Sequence, residues 1–213
     1  GGLTAILIYP MNALANDQLE RIERYLEGAG LRGAVSVAKY DRGTTQAQRE
    51  ELRRHPPHIL LTNYMMLEYL LVRPRDRDAI FANHRCRFLV LDEVHTYRGS
   101  LGSNIALLVR RLKAHLGRAR QDWAASADRH RRFPVLVPVG TSATIKSGEA
   151  PGLDATAARQ RRNQAIREFF ARLTGAAEAD IQVVGEDLDD IPTPDDATIG
   201  AAVAVAMPAV DPG

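Results

Sequence analysis

Four short apolar runs punctuate the chain, and each hands over to small polar residues at its carboxyl end. Leu3 to Tyr9 passes into Pro10-Met11-Asn12, and Ile59-Leu60-Leu61 passes into Thr62-Asn63-Tyr64. Phe88 to Leu91 leads into Asp92-Glu93-Val94-His95, and Pro134 to Gly140 into Thr141-Ser142-Ala143-Thr144. Continuous apolar runs fit strands covered on both faces, as in a parallel sheet between helical layers. Ligands of such sheets gather at the carboxyl ends of the strands, so the four polar ends are expected to form one functional edge. Ala34 to Tyr40, alternating and β-branched, predicts a fifth strand, followed by the loop Asp41 to Thr45.

Between these runs the pattern turns helical. Leu19, Ile22, Tyr25 and Leu26 predict a helix over Asn12 to Glu27, stopped by Gly28 and Gly30. Gln46 to Arg54 reads as a short polar helix ended by Pro56-Pro57, and Met65 to Leu71 as a helix whose Met and Leu positions face a core. Residues 74–87 form a charged connection with one short helix. A turn over Tyr97 to Gly102 leads into a helix from Ser103 to Leu116, with Ile105, Leu108, Val109 and Leu112 on one face. Thr156 to Leu173 predicts a long helix, and Ile181 to Val184 a short strand or extended piece. The Arg-rich stretch 117–133 holds Trp123, read as a packing anchor, and residues 187–213 turn acidic and then Ala- and Pro-rich, the composition of a linker or tail. The expected divisions are 1–150, 151–186 and 187–213.

Asp92 and Glu93 carry the sharpest chemistry. An Asp at the end of a buried strand can hold Mg²⁺, and a neighbouring carboxylate can orient the water that attacks a phosphoryl group. A solvated Asp-Glu pair at a strand end is the bland reading of the same four residues, and the other three polar strand ends weigh against it. Asn12 would sit at a helix N-terminus, where free N–H groups suit a phosphate; it could equally cap the helix, and the two roles are compatible.

Together these segments resemble the first motor domain of a superfamily 2 helicase of the DEAD/DEAH-box type. Pro10 to Gln18 resembles motif Ia, Thr62-Asn63 a later nucleic-acid motif, Asp92 to His95 motif II, and Ser142-Ala143-Thr144 motif III. The resemblance covers roughly residues 3 to 146, and His95-Thr96-Tyr97-Arg98-Gly99 is closest in wording to large bacterial helicases of DNA repair and phage defence. It implies an α/β fold, a RecA-like three-layer sandwich with a mostly parallel central sheet. Its implied cofactors are ATP and Mg²⁺. Asp92 would hold the metal through water, Glu93 would activate water, and His95, Ser142, Ala143 and Thr144 would couple the nucleotide state to movement. The implied nucleic-acid contacts are Pro10, Met11, Asn12, Gln18, Thr44, Thr62, Asn63 and Arg98. Arg98 could also pair a nearby carboxylate. Asp41-Arg42-Gly43-Thr44-Thr45 matches the family's Tyr-x-Gly-x-Thr loop imperfectly, which leaves Thr44 but not Gly43 as a contact.

No Gly-x-x-x-x-Gly-Lys-Ser/Thr occurs in the 213 residues, so the backbone cradle and lysine that grip phosphates are missing. The resembled family carries that loop upstream of motif Ia. The chain is therefore expected to be a truncated, incomplete sandwich without the P-loop strand, inactive by itself, from an enzyme that hydrolyses ATP. The missing strand would neighbour the motif III strand, leaving 135–140 as an apolar edge.

Charge sharpens the choice of partner. The formal net charge of +2 hides an asymmetry: all 28 Lys and Arg lie within residues 1–172 together with 17 of the 26 acidic residues, giving +11 there and −9 beyond. A basic excess fits a polyanion, although arginines also solvate helix faces, and the resemblance to DNA-repair and phage-defence helicases implies DNA ahead of RNA. The second RecA-like domain of the same parent is the other expected partner. Cys86, the lone cysteine, reads as core filler. With neither a signal sequence nor a membrane-spanning run to read, the cytoplasm is the expected compartment. Two other classes stay open: a P-loop ATPase with no nucleic-acid track, and a non-catalytic nucleic-acid-binding module.

Overall fold

A computed structural model describes residues 2–10, 12–81, 85–118, 136–142 and 155–184. Contacts divide the chain into Gly1–Gln182 and Val183–Gly213. The expected tail and Trp123 lie outside the described residues.

Five strands form one sheet: β1 (Ala5–Ile8), β2 (Val37–Tyr40), β3 (Ile59–Thr62), β4 (Phe88–Leu91) and β5 (Val137–Gly140), in the order β2-β3-β1-β4-β5. Every pairing is parallel. Each strand is only four residues long and the ladders run without offset, so Ile8, Tyr40, Thr62, Leu91 and Gly140 all end at one level. The continuous apolar runs thus became the fully parallel sheet that their patterning implied.

Helices cover the two faces unequally. On one face α2 (Gln46–Arg54), α3 (Tyr64–Val72), α4 (Pro74–Ile80), α5 (Gly99–Arg118) and α6 (Ala155–Thr174) pack over Ile6, Ile8, Leu60, Leu89 and Leu91, and buried Phe81, Tyr97, Ile105, Leu112 and Phe170 complete that core. On the other face lies α1 (Asn12–Gly28), with Ala15, Leu19 and Ile22 against Leu7, Val37, Ile59 and Leu61. Burial of these side chains at about 25 cal/mol per Å² outweighs the weak helix propensity of the Asn-containing start of α1.

Local chemistry sets the helix ends. Thr45 and Gln48 form a reciprocal capping box at α2, and the Asn63 side chain accepts from the Met66 N–H at 2.9 Å to start α3. Arg53 of α2 reaches the buried Asp76 of α4 at 2.6 Å and also Glu50 at 2.6 Å. Because Asp76 is only 2% exposed, removing Arg53 would leave its buried charge with only the longer pairing to Arg73 at 4.0 Å. At the far end of α6, Lys113 of α5 donates to the Thr174 carbonyl at 2.6 Å; burial, and then Arg110, bring its ammonium pKa down to about 8. Cys86 is buried and its thiol is pushed up to about 12 by desolvation.

Two boundaries differ from the sequence pattern. The strand expected from Ala34 begins at Val37, because Arg32 to Val35 closes a small bridged turn instead. The turn expected over Tyr97 to Gly102 is partly helical, since α5 starts at Gly99. Gly102 permits this: a Cβ there would come 2.5 Å from the Tyr97 carbonyl oxygen. Glu178–Asp180 makes a single 3₁₀ turn, and Ile181 leaves it with extended backbone, φ −91° and ψ 116°.

The strand β5 is the outermost of the described strands on its side and pairs only with β4. On the α1 side of the sheet the neighbours Phe88, Val137 and Val139 remain 43%, 47% and 39% exposed, because α1 reaches only β2, β3 and β1. An apolar, open edge of this kind is a template for association. The double substitution Val137→Thr with Val139→Lys is therefore expected to raise the protein concentration at which the isolated chain stays monomeric in light scattering; an unchanged threshold would show that association, if present, does not run through β5.

Candidate functional site

The level ends of β1, β4 and β5 create the site. Past Leu91 the backbone is held between its neighbours: the Asp92 N–H donates to the Ile8 carbonyl at 2.9 Å, and the Thr141 N–H to the Leu91 carbonyl at 3.0 Å. The Val94 N–H then returns to the Thr141 carbonyl at 2.9 Å, so the segments after β4 and β5 are interlocked. Side chains repeat the link. The Thr141 hydroxyl donates to Oδ1 of Asp92, and Nδ1 of His95 lies 2.9 Å from the Ser142 hydroxyl. The same nitrogen lies 3.1 Å from Oε2 of Glu93, although off the line of a good hydrogen bond, and Oε2 is buried with no hydrogen-bond partner among the described residues.

Glu93 is the only non-glycine residue of the described chain with positive φ, at φ 52° and ψ 47°. A residue bearing a long side chain in the left-handed region costs about 1–3 kcal/mol, and such costs concentrate at functional sites. Three bonds hold the strained turn: the Thr96 N–H and hydroxyl both donate to the Glu93 carbonyl, at 2.9 and 2.8 Å, and the Tyr97 N–H donates to the Val94 carbonyl at 3.1 Å. The conformation turns Glu93 away from the strand direction while Val94 enters the core at 3% exposure. Tyr9, just past β1, has its phenol pushed up by burial and then by the Asp92 charge.

Packing from the helical side fixes the opposite half. A Cβ on Gly140 would meet the Phe170 ring of α6 at 2.7 Å and Val94 at 3.1 Å. Glycine thus lets α6 press directly on the strand end that delivers Thr141 and Ser142.

The structure brings together Asp92, Glu93, His95 and Ser142, as the sequence implied. Ala143 and Thr144 lie outside the described residues, as does Met11; Asn12 begins α1, and its side chain is not described. Pro10, just past β1, and Gln18, in the second turn of α1, are half-buried, and Arg98 is exposed, with no ion pair among the described residues. Asn63 caps α3 at the end of β3. Thr44 and Thr62 engage their hydroxyls within the protein. Thr62 is 1% exposed and its hydroxyl donates to the Tyr40 carbonyl at 2.7 Å, tying β3 to β2. Thr44 is 8% exposed, and its hydroxyl accepts from the Asp41 N–H at 2.8 Å inside the loop. Both shape the edge from beneath.

Sequence reading gave no role to Thr141 or Tyr97. For Thr141 the signal was countable: Leu91 pairs with Gly140, so the next residues, Asp92 and Thr141, must come side by side. Tyr97, at 1% exposure with its phenol raised to about 12, had no periodic signal.

The donor set suits a hard divalent cation: the partly exposed carboxylate of Asp92 and the unpartnered Oε2 of Glu93 offer oxygen only. Among the described residues no group of three or more His, Cys, Asp or Glu converges into a protein-only cage, so such an ion would share its remaining positions with other oxygens. A depression of about 630 Å³ lined by Glu20, Arg24, Glu27, Arg32 and Val35 opens at the opposite edge of the sheet, remote from this chemistry.

Comparison with known proteins agrees with this geometry. The family model for DEAD/DEAH box helicases matches residues 1–149. The chain is 33% identical over 109 residues to the uncharacterized ATP-dependent helicase YprA of Bacillus subtilis, covering 51% of this chain and 14% of YprA. It is 34% identical over 116 residues to the Druantia protein DruE of Escherichia coli, covering 51% of this chain and 6% of DruE. Among solved structures, the DUF1998 helicase MrfA bound to DNA and AMPPNP superposes with a TM-score of 0.61 at 27% identity, over 86% of this chain and 20% of MrfA. The chain therefore spans a fifth or less of the length of these relatives. Its parallel sheet, its strained Asp-Glu turn and the family match over most of its length lead to one conclusion: the chain belongs to the DEAD/DEAH box helicase family.

Proposed function

We propose that this chain is part of the first motor domain of an ATP-dependent helicase or translocase that acts on nucleic acid, with DNA as its track. The observation that carries the reading is the interlock of Asp92-Glu93 with Thr141-Ser142 across adjacent parallel strands. A solvated surface pair would need neither the hydrogen bonds between the two turns nor the left-handed Glu93. MrfA bound to DNA supports DNA as the polyanion, and the wording of His95 to Gly99 supports the repair or phage-defence setting. A second RecA-like domain of the same protein and a cytoplasmic location belong to the same proposal.

In this reading Mg²⁺ would be held by Asp92 through water, where it neutralises phosphate charge. Thr141 orients the Asp92 carboxylate by donating to Oδ1, leaving Oδ2 for that role. Glu93 points its carboxylate from the strained turn toward the attacking water and takes its proton. His95, placed between Glu93 and Ser142, lets the state of the carboxylate be felt at the end of β5. Phe170 of α6, lying on Gly140, receives any shift of that turn.

In a full-length helicase carrying this segment, Glu93→Gln is expected to lower ATP turnover by roughly 10²–10⁴-fold while nucleotide binding persists. Turnover at the parental rate would remove Glu93 from the chemistry. The isolated chain holds no lysine-bearing phosphate loop, so it is expected to show no DNA-stimulated hydrolysis. It should nevertheless bind single-stranded DNA with an affinity that falls as salt rises, and Arg98→Ala should shallow the salt slope by about one phosphate contact. Salt-independent binding, or hydrolysis stimulated by DNA, would contradict these assignments.

A further inference from the structure

Two buried polar atoms of the site lack a hydrogen-bond partner among the described residues, and they are complementary. The Tyr97 hydroxyl is a donor without an acceptor, and Oε2 of Glu93 is an acceptor without a donor. Tyr97 is 1% exposed and its ring belongs to the main core. Its backbone is fixed from both sides, by the bond from its N–H to the Val94 carbonyl at 3.1 Å and by Gly102, which closes over its carbonyl. The ring itself is packed within that core. After burial, the charges of Asp92, then Glu93, then Tyr64 raise its phenol to about 12, so the hydroxyl keeps its proton at any working pH. A phenylalanine would fill the same space without burying an unsatisfied hydroxyl, and an unsatisfied polar group inside a site calls for an explanation.

We infer that Tyr97 is a positioning residue for Glu93: its hydroxyl donates to a bridging water that in turn donates to the Glu93 carboxylate, and so holds the carboxylate in line with the attacking water. The inference rests on the reading of Glu93 as the water-activating base. His95 does not suffice for this task. Its Nδ1 lies 3.1 Å from Oε2 but off line, and the same nitrogen lies 2.9 Å from the Ser142 hydroxyl; one N–H serves one good acceptor. Tyr97 supplies a second donor that does not compete with Ser142. It also comes from the segment immediately after the strained turn, so the Val94-Tyr97 bond that holds Glu93 left-handed also aims the phenol.

The test uses a full-length helicase carrying this segment, with ATP turnover under saturating DNA and a thermal melt recorded for each variant. Tyr97→Phe is expected to lower kcat about tenfold, the effect of one hydrogen bond to a charged group, with KM for ATP unchanged and a melting midpoint at or above the parent's. In a Glu93→Asp background, where the carboxylate is withdrawn by one methylene, the same substitution should cost nothing more. A fall in kcat of less than about threefold, a lowered midpoint, or a full additional loss in the Glu93→Asp background would each overturn the inference. Glu93→Gln is measured alongside. Retained turnover in that variant sinks the reading of Glu93 itself, whereas lost turnover there with an unaffected Tyr97→Phe sinks only the role of Tyr97.

Discussion

The zero-offset register of the parallel ladder is the constraint from which the rest follows. With β1, β4 and β5 ending together, the amides just past the strands fall within reach of their neighbours' last carbonyls, and Asp92, Thr141 and Val94 are pinned by backbone bonds before any side chain acts. A slip of one residue between β4 and β5 would turn Asp92 away from Thr141 and invert the faces of Phe88 and Val90, exposing core residues. The hydrophobic faces thus secure the polar geometry. Burial of Leu89 and Leu91 on one side fixes where the carboxylates stand.

That coupling explains why so much was legible in the sequence. Strands and helices were readable because apolar runs and helical spacing report burial directly, and Phe88 to His95 announced both a strand and its polar end. The site was legible as a set of strand ends because parallel sheets place such ends on one edge. Details that depend on side-chain reach were not. Thr62 looks like a free hydroxyl in one dimension, yet its position inside the sheet next to Tyr40 commits it to a carbonyl across the ladder. Thr44 similarly closes its own loop. The left-handed Glu93 was invisible, since no glycine or asparagine marks the turn and the conformation is imposed by Thr96 and the core insertion of Val94. The early start of α5 was hidden too, because two glycines read locally as a turn, while here one of them makes room for a carbonyl.

The two faces of the sheet divide the labour of stability and chemistry. The thick face, with α2 to α6, holds most of the buried side chains and the charged tie between Arg53 and Asp76. The thin face carries α1, whose first residues stand beside the strand ends. This arrangement keeps the strained turn braced from the heavily packed side, where Val94 and Tyr97 are inserted, while the carboxylates of Asp92 and Glu93 stay only half-buried at the rim. A rigid support beneath a partly open pair of carboxylates is the condition under which a reacting group can be aimed without being sealed off.

The contact of Phe170 with Gly140 gives α6 a mechanical consequence. With no methyl group between ring and backbone, the rod and the rib tip have no slack, and a displacement of either by a fraction of an ångström is transmitted as a push on the other. The twenty-residue rod also carries arginines 159, 161 and 162 on its exposed outer length, so a load applied there would arrive, through an aromatic plate, at the serine that touches the imidazole of His95.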